Sequence, residues 1–100
     1  MVDCYLSPEG EFYYGMSHFR IAEYILKKVY GLDEDSIHDP NLTEENFKAQ
    51  CNPERFLEER GWMKYINRCG IGWWIDSRKR PTKAQIDAAW DKSNIDVSNL

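Results

Sequence analysis

Arg68, Arg78, Lys79, Arg80 and Lys83 gather in sequence around Trp73 and Trp74. Positive charge beside an aromatic platform suits single-stranded nucleic acid, whose bases stack on the rings while the cations track phosphates. Exposed aromatics also suit a protein partner, since Trp, Tyr and Phe are enriched at interfaces. Strand alternation places Trp73 and Trp74 on opposite faces, so only one of them is core in a sheet covered on one side. Residues 1–61 carry 13 acids against 6 bases, and residues 62–100 carry 7 bases against 4 acids. The acidic half weakens nonspecific affinity for nucleic acid. The expected binding set is Trp73, Trp74, Arg68, Arg78, Lys79 and Arg80: the aromatic surface is expected to take a protein partner, and single-stranded nucleic acid held by Trp73 or Trp74 with Arg78, Lys79 and Arg80 is the alternative.

His18 offers a different chemistry. It stands at a predicted helix start, where a neutral imidazole with Asp3, Cys4 or Glu23 would make a base or a ligand. The structural reading, adopted here, has it closing the helix entry or packing on the first hairpin. A small hydrolase or transferase centred on His18 is the third function class, behind the two binding classes. Cys4, Cys51 and Cys69 are widely spaced with no C-x-x-C pair, which argues against a disulfide framework or a zinc site and for a reducing compartment. Asp33, Glu34, Asp35 and Asp39 lack the glycine and terminal glutamate of a calcium loop. Glu58 and Glu59 are adjacent on a helix and do not face one another as a glycosidase pair does. No phosphate-binding glycine loop, G-x-S-x-G elbow or H-E-x-x-H motif occurs. The expectation is a non-enzyme with no cofactor and no metal.

The elements that would carry these residues centre on residues 61–76, which hold three of the four tryptophans. Trp62, Lys64 and Ile66 alternate with Met63, Tyr65 and Asn67, the period of a strand with two faces. Gly70 and Gly72 supply a reversal, and Trp73-Trp74-Ile75 returns as the second strand. Residues 3–15 read as a first hairpin around Ser7-Pro8-Glu9-Gly10. Ser17 is placed to cap a helix over residues 18–30, with Ala22, Ile25, Leu26 and Val29 on one face and Gly31 as its stop. After the acidic connection 31–42, which holds His38, Thr43 and Asn52-Pro53 each start a short helix. Pro81-Thr82 opens the last helix, where Thr82 and Gln85 match a capping box and Ile86, Ala89 and Trp90 share a face. The tail 94–100 is expected to fray. The fold class is α+β: a small antiparallel sheet built from two β-hairpins, packed on one face against three to four helices.

One hundred residues, 42% hydrophobic and 30% charged, suit one soluble domain over residues 1–100. There is no basic region followed by an apolar run at the N-terminus, and no apolar segment nears the roughly 18 residues of a membrane span. The expectation is a cytoplasmic protein that does not engage a membrane.

Three features taken in order resemble a loose group of small uncharacterised proteins carried by bacteriophages and mobile elements. They are Ser17-His18 with Ala22 at a helix start, Leu57 with Gly61-Trp62 at a helix-to-strand junction, and Pro81-Thr82 with Gln85 at the last helix. The resemblance implies a phage or prophage origin and a compact product, and it carries over no activity. A host or phage protein is then the expected partner.

Overall fold

A computed structural model describes residues 3–32, 40–69, 71–75 and 81–99. The elements are β1 (Asp3–Leu6), β2 (Phe12–Gly15), α1 (His18–Val29), α2 (Glu44–Cys51), α3 (Pro53–Glu59), β3 (Met63–Arg68), β4 (Ile71–Ile75), α4 (Lys83–Lys92), β5 (Asn94–Asp96) and a closing 3-10 turn (Val97–Asn99). The strands form one sheet in the order β4-β3-β1-β2-β5. The fold is α+β as expected. The acidic stretch 33–39, including His38, and the basic stretch 78–80 lie outside the described residues.

Both expected hairpins form, and their registers decide which side chains share a face. Tyr5 lies opposite Tyr13 and Lys64, and Cys4 opposite Tyr14 and Tyr65. Directly opposed residues point the same way, so Asp3, Tyr5, Tyr13, Lys64, Ile66 and Arg68 share one face of the sheet. On that face Tyr5 and Tyr13 pack with Ile21, Ala22, Ile25 and Leu26 of α1 and with Leu57 of α3. Cys4, Leu6 and Phe12 face the other way and meet Ala89 and Ile86 of α4, with Tyr65 and Trp74 beside them. The expectation of helices on one face only is thus corrected. Ala89 and Ile86 give the last helix an apolar stripe that must be buried, and the second sheet face is the surface that receives it.

The sheet is also mixed rather than antiparallel. β5 runs parallel to β2, with Phe12 opposite Asn94 and Tyr14 opposite Asp96. The tail expected to fray is therefore a sheet edge from Asn94 to Asp96. Its anchors are Val97, buried in the α1 side of the core, and Ser98, whose Oγ accepts the Met16 N–H at 3.0 Å. Ile95 and Val97, two residues apart, both meet the core cluster that Tyr13 and Ile21 belong to. That burial offsets the ordering entropy of so short a segment.

Helix starts follow their caps. Thr43 Oγ1 accepts the Asn46 N–H at 3.1 Å, and Asn52 Oδ1 accepts the Arg55 N–H at 3.2 Å. Thr82 and Gln85 exchange both bonds of the expected capping box, at 3.2 and 2.9 Å. Trp62 sits at the junction of α3 and β3, 4% exposed, with its ring edge on Tyr5 and tilted against Tyr13. Its Nε1–H donates to Tyr30 Oη at 2.9 Å, so the indole is both packed and satisfied.

The β3–β4 reversal differs in detail from the expected one. Arg68 pairs with Ile71, so the chain reverses between these two residues. Cys69 takes φ +53, the left-handed region that costs a non-glycine residue free energy. Gly72 lies inside β4 instead, where the Tyr65 ring covers it so closely that a Cβ would overlap the phenol.

Two stability measurements check this arrangement. Trp62→Ala should lower unfolding free energy by about 3–5 kcal/mol, the range for truncating a buried aromatic. Cys69→Asn should raise it by about 0.5–1 kcal/mol, since Asn tolerates the left-handed region better than Cys. Denaturant midpoints read both, and an unchanged midpoint for either variant contradicts its assigned role.

Candidate functional site

Asp3, at the start of the central strand β1, is 1% exposed and charged. A buried carboxylate persists only where donors converge on it. Here Oδ2 accepts the backbone N–H of His18 at 3.1 Å and lies 3.0 Å from its ring Nδ1. Oδ1 accepts the Asn67 N–H at 2.9 Å, and Arg68 Nη1 reaches both oxygens at 3.4 and 3.3 Å. Burial pushes this carboxyl up. The Asn67 N–H, the His18 ring and backbone N–H, and the Arg68 guanidinium together outweigh burial and hold it below the ordinary 3.8. Asp3 also takes over a task expected of Ser17, whose side chain makes no capping bond. The negative carboxylate sits at the positive end of α1.

The His18 ring continues the network. Its Nε2 is 3.1 Å from Glu54 Oε1, an ion-pair contact that is not aligned as a hydrogen bond. Glu54 Oε2 in turn accepts from Lys64 Nζ at 2.8 Å. One imidazole thus stands between two carboxylates, and it can donate to both only with a proton on each nitrogen. Arg68 Nη2 is 3.3 Å from Nδ1, while Nη1 is the nitrogen that reaches Asp3. Tyr5 lies fully buried, and burial together with the charges of Glu54 and Asp3 pushes its phenol up.

Chemically the arrangement holds charge in place. Nδ1 lies 3.0 Å from Asp3 and Nε2 3.1 Å from Glu54, so each ring nitrogen has a carboxylate beside it. Asp3 and Glu54 approach the ring from its two different nitrogens, so the three groups do not converge on one point. Among the described residues no group of histidine, cysteine and carboxylate side chains is placed to hold a metal ion. Of the partners considered for His18, Asp3 is the one in contact. Cys4 points to the opposite sheet face, where burial and the charge of Asp3 push its thiol up to about 12. Glu23 is exposed on α1, and Glu54 of α3 takes the second position.

The network ends at the surface, and there it meets the expected binding residues. Phe19, 61% exposed, stacks on His18 with ring centroids 4.3 Å apart. Arg68 is half-exposed and lies opposite Ile71, so Ile71 and Trp73 share its face. Ile71 is 68% and Trp73 41% exposed. Ile71 and Trp73 are thus exposed on the face that carries Arg68, and Phe19 is exposed on the ring of the buried His18 next to it. Trp74 faces the other way, edge-on to Tyr65 at 5.2 Å. Of the expected binding set, Arg68 and Trp73 come together, Trp74 is separated from them by the sheet, and Arg78, Lys79 and Arg80 lie outside the described residues. Phe19, Ile71 and Glu54 were not singled out in the sequence. Phe19 is spaced three and seven residues before Ala22 and Leu26, as a core residue would be, and Glu54 meets His18 through tertiary contact alone.

No protein-family model, no curated protein and no solved structure matches the chain. No described helix is long and apolar enough to cross a membrane.

Asp3→Asn tests the network. At neutral pH it should cost about 3 kcal/mol, the lower end for breaking a buried pair, because Arg68 is half-exposed and screened. Asp3 has a depressed folded value, so its contribution is full above the ordinary 3.8 and is lost as pH falls below that through the folded value. The gap between wild type and variant should therefore narrow in the acid limb of a stability profile. A gap independent of pH would show that the charge of Asp3 is not what stabilises the fold.

Proposed function

We propose that the protein is a small interaction module that binds another protein through the surface made by Trp73, Ile71 and Phe19 beside Arg68. The observation that carries this reading is that Ile71 and Trp73, both exposed, share the face of Arg68, with Phe19 exposed on the neighbouring His18 ring. Singly scattered apolar side chains are ordinary on a soluble surface, whereas a joined patch of large ones marks a recognition site. Trp and Arg are also the residue types that dominate interface energetics. Arg68 reaches this surface already fixed by Asp3, so little side-chain entropy remains to be lost on binding. The resemblance to small phage and mobile-element proteins makes a host or phage protein the class of partner. The single-stranded nucleic-acid reading rests on Trp73 or Trp74 with Arg78, Lys79 and Arg80, and it enters as an outcome of the test.

The test begins with a partner captured on the intact protein, then purified and titrated against it. Trp73→Ala should weaken that binding by about 2 kcal/mol, roughly thirtyfold, as expected of a central aromatic contact. Phe47→Ala, an exposed aromatic on α2, should leave it unchanged. Equal losses at both positions, or none at Trp73, would place the interface elsewhere. Tight, steeply salt-dependent binding of single-stranded DNA or RNA in the same titration would favour the nucleic-acid reading instead.

A further inference from the structure

Two carboxylates stand at different nitrogens of one buried imidazole, and they are held with unequal firmness. Asp3 Oδ2 has an aligned bond with His18 Nδ1 at 3.0 Å, the His18 backbone N–H at 3.1 Å and Arg68 Nη1 at 3.3 Å. Fully buried on the central strand, it has nowhere to turn. Glu54 meets Nε2 at 3.1 Å through Oε1, an oxygen with no hydrogen bond of its own. Its other oxygen goes to Lys64 Nζ at 2.8 Å. The Glu54 side chain also lines a cleft with Asn52, Arg55, Glu58 and Lys64, so there is open space beside it. Proton count decides whether both contacts stand. A ring protonated on both nitrogens presents a hydrogen to each carboxylate, whereas a neutral ring has one hydrogen and turns a lone pair to the other. Nδ1 keeps that hydrogen, because Asp3 is the aligned and immobile partner. Glu54 Oε1 then faces a lone pair, a repulsive contact for a buried charged oxygen. The other groups around the ring leave this order in place. Arg68 Nη2 lies 3.3 Å from Nδ1 and could donate to it, but Asp3 Oδ2 is closer and would then meet a bare nitrogen. Lys64 is bonded to Glu54, and Phe19 stacks on the ring without charge. Burial, with the charges of Glu54 and Asp3, pushes the Tyr5 phenol up and keeps it neutral.

We propose that His18 is a proton-operated latch on α3: the doubly protonated ring holds the Glu54 carboxylate inward, and the neutral ring releases it into the cleft beside Glu58. Histidine is the residue type suited to such a device, since imidazole changes charge between about pH 5 and 8. With the latch closed, Glu54 is spent between His18 and Lys64. With it open, a second carboxylate joins Glu58 in the cleft, so protons set the charge that this side of the molecule shows to solvent. Phe56 and Leu57 stay in the core throughout, which confines the movement to the Glu54 side chain and the start of α3. The latch and the surface of Ile71 and Trp73 work without one another.

Nuclear magnetic resonance on the intact protein reads the ring and the carboxylate separately. Ring carbon and nitrogen shifts follow the His18 proton as pH rises from about 5 to 8, and three-bond couplings follow the Glu54 rotamer. On the acid limb Glu54 should hold one rotamer. Through the same midpoint as the ring, it should pass to an averaged set. Protection of the α3 amides against exchange, corrected for the intrinsic rate, should fall roughly fivefold over that step, as for loss of a part-exposed ion pair. Glu54→Gln removes the charge that the latch grips and leaves the ring in place, so its α3 should show no step. A ring that keeps one charge across this range, a Glu54 rotamer indifferent to the ring, or an α3 step that persists in Glu54→Gln would each overturn the proposal.

Discussion

A charged carboxylate with no access to water is a demand that the rest of the chain has to meet. Asp3 is that carboxylate. Because β1 is the central strand, the donors that answer it come from both sides: the first turn of α1 supplies the His18 N–H and ring, and β3 supplies the Asn67 N–H and the Arg68 guanidinium. Misplacing either element leaves a buried charge unpaired, at a cost of several kcal/mol. Apolar packing between tyrosines and α1 would tolerate a range of helix positions. The carboxylate does not, so it selects one among them. It also replaces the cap that Ser17 does not provide, which ties the start of α1 to the sheet rather than to its own preceding loop.

The same constraint reaches the surface. His18, once held by Asp3 and Glu54, offers one ring face to Phe19, and Arg68, once held by Asp3, cannot sweep freely over the solvent. Residues that look catalytic in isolation (a histidine, two carboxylates, a lysine, an arginine) here neutralise one another. What the network leaves open is a set of exposed apolar and aromatic side chains at its margin.

Much of this was legible in the sequence wherever one local signal sufficed. The caps at Thr43, Asn52 and Thr82, the stop at Gly31, the two hairpins and the buried Trp62 all follow from neighbouring residue types. The opposite faces of Trp73 and Trp74 followed from the period of a strand. What was not legible depended on contacts far apart in sequence. Nothing near Asn94 announces a parallel pairing with Phe12, and a short polar tail has the composition of a frayed one. The second layer, α4 on the far face, is set by whether that face has apolar residues left over, a property of the assembled sheet rather than of residues 83–92. Asp3 and His18 were seen as possible partners, but Glu54 was hidden because α3 must first pack beside α1 before its second residue can reach the ring. Glycine also misled: Gly72 reads as a turn residue, yet it is required by the Tyr65 ring that crosses it, and the left-handed position is taken by Cys69.

How firmly the β3–β4 hairpin is held follows from these contacts. It joins the sheet through only three residue pairs between β1 and β3, a short seam for a hairpin that projects an exposed indole. A two-stranded ribbon on so short a seam would twist and fray. Three further anchors prevent it. Trp62 locks the entry to β3 beneath Tyr30, Lys64 is tied to Glu54 on α3, and Arg68 is tied to Asp3 next to the turn. They fall just before β3, at its second residue and at its last, so rotation about any one is resisted by the other two. Such rigidity adds little to stability beyond what the core supplies, since Lys64 and Glu54 are paired near the surface. Its effect lies in binding, because a surface fixed before contact loses less entropy on contact. A hairpin held at three points along its inner strand is the form that requirement takes in this chain.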